Sequence, residues 1–281
     1  MARIVGYIGT SHVPAIGGAI ARNLQQDAYW KPFFDGFPAA RDWVSKAEPD
    51  VVVLFYNDHG LNFFLDKMPT FAIGAAPRYS NADEGWGLPN FGSYRGYPEL
   101  SWHIIEQLVE DEFDPVSCQE MVVDHAFAIP LKLLWPKGTG EVRFVPICIN
   151  TVQHPLPSAR RCWKLGQSIG RAIASWPANL NVLVMGTGGL SHQLDGRRAG
   201  FINRAFDEIC LDKLVTEPEA LTAYTVTQLV DLAGTQGIEL LNWIAARGAL
   251  DGTVREVHRN YHIPISNTAS ALLVLDNQAR T

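Results

Sequence analysis

Five short apolar runs set the fold this chain can adopt: Ile4 to Ile8, Val51 to Tyr56, Val142 to Ile149, Val182 to Met185 and Ala271 to Leu275. Runs of that length and composition read as buried strands. Between them several segments carry a helical period instead. "PELSWHIIEQLVEDEF" (residues 98 to 113) places Leu100, Ile104 or Ile105, and Leu108 on one face. "SARRCWKLGQSIGRAIASW" (158 to 176) and "RAGFINRAFDEICLDKLV" (198 to 215) follow the same spacing. Gly237 opens a further helix, "IELLNWIAARGAL", which Gly248 ends. Strands alternating with helices predict an α/β fold with a mostly parallel central sheet flanked by helices. No internal repeat or linker divides the chain, so a single domain over residues 1 to 281 is expected. Residues 77 to 97, rich in glycine and proline, read as a long surface loop of the kind that is usually functional or disordered.

In open sheets of this kind ligands gather beyond the carboxyl ends of the strands. Four of the eight histidines stand at such places: His12 in "YIGTSHVP", His59 in "YNDHG", His154 in "CINTVQHP" and His192 in "VMGTGGLSHQ". One histidine after a strand is commonly a turn residue, but a repeated placement points to a site. Gly186, Gly188 and Gly189 do not meet the dinucleotide-binding spacing, and no Walker lysine follows them, so a nucleotide site is not expected. They read as a tight turn that lets His192 point into a cleft.

Two imidazoles need a third partner to hold a metal. Two histidines and one carboxylate on one face of an octahedron leave three open positions, the arrangement of non-haem Fe(II) oxygenases. Asp58, Asp83, Glu84, Asp195 and Glu239 are candidate carboxylates, and spacing alone does not choose among them. Glu239 has one peculiarity: it begins an otherwise apolar helix, where an unpaired carboxylate is costly and a cation would remove the cost. The structural alternative is a first-turn glutamate stabilised by the helix dipole.

Composition narrows the partners. With a net charge of -6 and no basic face in the sequence, nucleic acid is not expected. No apolar run approaches the roughly 20 residues of a membrane span, and the N-terminus shows no signal-peptide pattern. Cys118, Cys148, Cys162 and Cys210 are widely spaced and form no CxxC pair, which suits reduced thiols in a cytoplasmic protein.

Seven motifs then occur in order: "SHVPAIG" (11 to 17), "YNDH" (56 to 59), "ADEGWG" (82 to 87), "VDH" (123 to 125), "GTGGLSHQL" (186 to 194), "GIEL" (237 to 240) and "YHIPISNTA" (261 to 269). Together they resemble the class III extradiol ring-cleaving dioxygenases, the β (catalytic) subunit of protocatechuate 4,5-dioxygenase and its gallate-dioxygenase relatives. The resemblance implies Fe(II) as cofactor, with His12, His59 and Glu239 as its ligands. It implies His192 as the acid–base residue and His125 as a second catalytic histidine near substrate or oxygen. Asn57, Ser266, Asn267 and Thr268 would line the pocket, with Ser266 or Asn267 near a ring carboxylate. The implied reaction inserts both atoms of O2 into a catecholic acid of the protocatechuate, gallate or O-methylgallate type. The ring would open to a muconic semialdehyde or related product. Chelation by a cation lowers the catechol pKa, and an imidazole can accept and return a proton near neutral pH. A homodimer or α2β2 assembly with a small α-type lid subunit is implied as well.

Two departures bear on substrate. Where the family has glycine and small residues after the "VDH" histidine, this chain has Ala126, Phe127 and Ala128, and Phe127 is expected to reshape the substrate pocket. The chain also ends near residue 281 without the fused lid segment of gallate enzymes. A lid is then expected from another gene product or another protomer, or is absent. The competing class is a metal-free binding protein or a zinc hydrolase on the same fold. The first would be expected to lack a ligand or the base, and metal analysis separates the second.

Overall fold

A computed structural model describes residues 1–85, 87–265 and 267–278. In chain order its strands are β1 (Arg3–Thr10), β2 (Val51–Tyr56), β3 (Phe71–Gly74), β4 (Arg78–Asn81), β5 (Ser93–Gly96), β6 (Val116–Cys118), β7 (Val122–Val123), β8 (Arg143–Ile149), β9 (Asn181–Thr187), β10 (Val254–Ile265) and β11 (Thr268–Asn277). The helices are α1 (Pro14–Ala21), α2 (Lys31–Phe34), α3 (Phe37–Ala47), α4 (Pro98–Glu110), α5 (His125–Leu134), α6 (Ala159–Ser175), α7 (Arg204–Thr216), α8 (Val226–Ala233) and α9 (Leu240–Gly248).

The strands join one sheet, whose centre, β1-β9-β2-β8, is parallel throughout. Its edges are mixed. The β10–β11 hairpin adds antiparallel to β1, while β8 carries antiparallel β3 along one half and parallel β5 along the other.

β2 shows why the apolar runs became central strands. All six of its residues are fully buried. Val51, Val53 and Phe55 join the core under α4, α6, α7, α8 and α9, while Val52, Leu54 and Tyr56 join the core under α1, α2, α3 and α5. A strand covered on both faces cannot alternate apolar with polar residues, so it reads as a continuous run. Burying each large side chain contributes about 1.5–3 kcal/mol. α9 is buried along its whole length and packs on α6, where Gly166 leaves room for the Ala245 carbonyl.

Three expectations shift. Residues 77–97 are not all loop, because β4 and β5 pair there through Tyr79 and Tyr94, which face inward while their neighbours face solvent. That alternation was hidden by the flanking glycines and prolines. The helix expected from residue 198 begins at Arg204, where the Asn203 side chain accepts from the Phe206 N–H and caps it. The helix expected from Gly237 starts as a 3-10 turn, Gly237–Glu239, and becomes α9 at Leu240.

Candidate metal centre

Level registers align the carboxyl ends of the central strands: Thr10 pairs with Thr187, and Phe55 with Gly186. The segments leaving those ends carry His12, His59 and His192, and the turn before α9 brings Glu239 against them. With Asn57, His125, His154 and Thr268 they line a cavity of about 1050 Å³.

Glu239 is the hub. Its Oε1 lies 3.3 Å from His12 Nε2 and 3.7 Å from His59 Nε2, and its Oε2 lies 3.9 Å from His192 Nε2. The Asn57 amide donates to Oε1 at 3.2 Å, and the Gly189 N–H donates to Oε2 at 2.8 Å. Asn242 donates to Asn57 Oδ1 at 3.1 Å, which fixes the Asn57 amide with its N–H groups toward the site. Asp58 serves the loop instead, accepting from the backbone N–H groups of Gly60, Leu61, Asn62 and Phe63.

Gly188 explains part of the glycine-rich turn. Its φ is +118°, and a Cβ there would stand 2.6 Å from Glu239 Cβ. Gly188→Ala is therefore expected to lower stability by about 1–3 kcal/mol and to weaken metal retention by displacing Glu239. Thermal unfolding and metal content measure both effects. Wild-type values for the pair would show that the close approach is dispensable.

Each imidazole is held by its Nδ1. The Thr187 hydroxyl donates to the Ala126 carbonyl at 2.9 Å, so it accepts from His12 Nδ1–H at 3.1 Å. His59 Nδ1–H donates to Asp124 Oδ2 at 2.9 Å, and His192 Nδ1–H donates to the Leu190 carbonyl at 3.0 Å. His125 Nδ1–H donates to Glu84 Oε2 at 2.6 Å. With Nδ1 as the donor, the Nε2 atoms of His12 and His59 face Glu239 Oε1, and the Asn57 amide stands 3.2 Å from that of His59. Once unprotonated, each Nε2 can bind a cation or accept a proton.

The charges require something more. Burial alone would raise the Glu239 carboxyl, but His12 and His59 hold it well below the ordinary carboxylate range. Burial likewise opposes ionisation of Asp124, and His59 holds it at about 2. Burial keeps His12 below its usual value despite Glu239, whereas at His59 the two carboxylates overcome burial and pull it up to about 10. Among the described residues no Lys or Arg reaches either carboxylate. Two buried anions thus share one imidazolium. A divalent cation seated between the Nε2 atoms and Glu239 would balance them better and displace that proton. The donor set fits a borderline divalent metal such as Fe(II).

Asp124→Asn tests the support behind His59. It is expected to cut metal affinity about 10–100-fold, the usual cost of losing a carboxylate behind a ligating histidine. Titration with a competing chelator reads this, and unchanged affinity would detach Asp124 from the site.

Comparison with known proteins bears directly on this arrangement. The family described as "Catalytic LigB subunit of aromatic ring-opening dioxygenase" matches residues 6–271. The chain belongs to that family. Gallate dioxygenase of Pseudomonas putida is 40% identical over 198 residues, covering 70% of this chain and 58% of that protein. The chain thus spans well under two thirds of that relative's length. A 2,3-dihydroxyphenylpropionate/2,3-dihydroxicinnamic acid 1,2-dioxygenase of Rhodococcus sp is 30% identical over 294 residues, covering 88% of this chain and 89% of that one. The crystal structure of an Escherichia coli K12 protein, JW3007, superposes with a TM-score of 0.57 at 14% identity, covering 96% of this chain and 99% of that one, and shares the fold. The class III extradiol family named by the seven motifs is the family found.

Family membership leaves the pocket's details to this chain. Thr268 lines the cavity, opposite His192 in an isolated bridge. Asn267 does not. It stands exposed at the β10–β11 turn with a φ of +63°, its amide near Gly200. Ser266 lies outside the described residues. Phe127 takes no part in the cavity wall, and its expected influence on the pocket is corrected accordingly. Its ring is fully buried against Tyr56, Tyr94 and Phe144. α5 begins at His125, and two residues along a helix turn a side chain to the far side. His154, left without a role by the sequence, stands on the wall with Thr151 and Val152, and so does Arg22. Asp124 and Glu84 were within the quoted motifs; what they hold was not readable there. All four cysteines are buried and free, and among the described residues no helix is long and apolar enough to cross a membrane.

Proposed function

We propose that this chain is an Fe(II)-dependent extradiol dioxygenase acting on a carboxylated catechol of the protocatechuate or gallate type. The observation that carries this reading is the convergence of His12, His59 and Glu239, with His192 beside them, at the floor of one cavity. His12 and His59 hold the metal through Nε2, and Glu239 supplies the carboxylate. His125 is the alternative third ligand, since its ring nitrogen and those of His12 and His59 lie within 4.8 Å of one another. Charge favours Glu239, because a cation at His12 and His59 neutralises the buried carboxylate it sits beside.

Bound Fe(II) would supply a Lewis acid and a redox couple for reaction with dioxygen. The remaining work falls to side chains. His192 Nε2 accepts a catechol proton and later returns it, while the Leu190 carbonyl keeps the ring in the tautomer this needs. Asn57 holds Glu239 in place. Arg22 is the one Lys or Arg among the described residues lining the cavity; its Nε donates to the Gly18 carbonyl, and its guanidinium offers the substrate carboxylate a counter-charge. Thr268 adds a short hydroxyl where Ser266 and Asn267 were expected to help. Val152 and Leu194 rim the cavity at 51% and 57% exposure, an apolar edge suited to a small lid subunit in an α2β2 assembly, or to the second protomer of a homodimer.

The experiment is anaerobic iron loading followed by oxygen uptake with protocatechuate, gallate, 2,3-dihydroxyphenylpropionate and plain catechol. Carboxylated substrates are expected to lead in kcat/KM by about one to two powers of ten, the loss that follows from leaving the buried Thr268 hydroxyl unpaired. Plain catechol at parity overturns the carboxylate reading. Retained zinc with no oxygen uptake overturns the dioxygenase reading.

A further inference from the structure

Glu84 is a buried carboxylate on a loop, and no ligand role falls to it. Both it and the His125 ring are 4% exposed, and its two oxygens are committed to one residue. Oε2 accepts from His125 Nδ1–H at 2.6 Å, and Oε1 accepts from the His125 backbone N–H at 2.7 Å. That N–H opens α5, so the carboxylate also meets the positive end of the helix. Among the described residues no Lys or Arg shares it.

The loop bearing Glu84 is built to hold it there. The Ala82 N–H donates to the Val123 carbonyl, the Asn81 side chain donates to the same carbonyl, and the Phe91 N–H donates to Asn81 Oδ1. These bonds tie Asn81, Ala82 and Phe91 together at the loop's base, directly beside Asp124 and His125. Gly87 and Leu88 then form part of the cavity wall, with Leu88 packed over Gly17 of α1.

The result is a pair of matched supports. The rings of His59 and His125 lie 4.2 Å apart, each with Nδ1–H on its own carboxylate, Asp124 for the first and Glu84 for the second. We propose that Glu84 is the positioning residue of His125, fixing the tautomer whose Nε2 faces the cavity as an acceptor for a substrate hydroxyl. This rests on the ring-cleavage reading above. It adds that the loop over the cavity, rather than the metal ligands, determines how the second histidine presents itself to substrate. Without Glu84 the ring can flip, or carry its proton on Nε2 and meet the hydroxyl as a donor.

Glu84→Ala and Glu84→Gln, each alone and combined with His125→Asn, test this in the full chain. Iron-loaded Glu84→Ala is expected to keep its metal and a KM within about twofold while kcat falls about 10–100-fold. Glu84→Gln, which retains one acceptor, should recover part of the loss. In the His125→Asn background Glu84→Ala should cost nothing further, because both changes remove one function. Losses that multiply would show that Glu84 serves only the loop, and would overturn the proposal. A second readout is independent of turnover. Zinc-loaded protein should show a downfield proton resonance from the short Nδ1–H bond that disappears in both His125→Asn and Glu84→Ala. Its persistence in Glu84→Ala overturns the assignment. If wild-type protein cleaves no catechol at all, the ring-cleavage reading fails, and the resonance still decides whether Glu84 holds His125.

Discussion

Glu239→Ala protein is expected to come through anaerobic iron loading with essentially no retained metal and no oxygen uptake. His12→Ala and His59→Ala should behave alike. Each removes one of three donors, of which the two imidazole Nε2 atoms stand 3.3 and 3.7 Å from Glu239 Oε1. Two remaining donors cannot hold a labile divalent ion against dilution. The metal-free fold is expected to survive Glu239→Ala. The substitution deletes a buried anion that now depends on an imidazolium, and the backbone of its turn stays tied through Glu239 N–H to the Gln236 carbonyl. Removing a charge together with its need for a partner is far cheaper than stranding one. Thermal unfolding of the metal-free variants should therefore stay close to that of metal-free wild type, which separates loss of a ligand from loss of the fold. The decisive comparison is with His125→Ala. Full iron in Glu239→Ala and none in His125→Ala would move the third ligand to His125.

How far the site could be read from sequence depended on which residues carry a local signature. His12, His59 and His192 follow apolar runs, and a strand buried on both faces is the strongest short-range signal an α/β sheet offers. Their convergence needed the register of β1, β9 and β2, which no local pattern records. Glu239 was marked by its chemistry, a carboxylate leading a mostly apolar helix, yet only the fold shows Asn57 and Gly189 donating to it. What sequence missed was three-dimensional in origin. Phe127 follows the cavity-lining His125 by two residues and yet faces the core, because helix geometry turns side chains two apart by about 200°. Glu84 and His125 are 41 residues apart and meet only because Asn81 closes the intervening loop onto Val123. Arg22 lies at the end of an unremarkable short helix, and only the cavity gives its charge a context.

His192→Asn is expected to separate chemistry from metal binding. His192 Nε2 lies 3.9 Å from Glu239 Oε2, farther than either of the other two imidazoles stands from Oε1. Its backbone is fixed independently of the ring: His192 N–H donates to the Ala233 carbonyl at 2.8 Å, and Gly237 N–H donates to the His192 carbonyl at 3.2 Å. Ser191 just before it is anchored by its hydroxyl and its N–H on the buried Asp207 carboxylate, at 2.6 and 2.9 Å. Replacing the ring by a short amide should therefore leave the loop, Glu239 and the metal in place. An amide cannot take up a proton, so turnover should fall by about 10² to 10⁴, the usual contribution of a general acid–base group. Anaerobic binding of a catecholic acid should persist, so the loss should appear in kcat far more than in the dissociation constant. Loss of iron in this variant would make His192 a ligand. Unchanged kcat would move the base to His125, where Glu84 already holds an imidazole in the required tautomer.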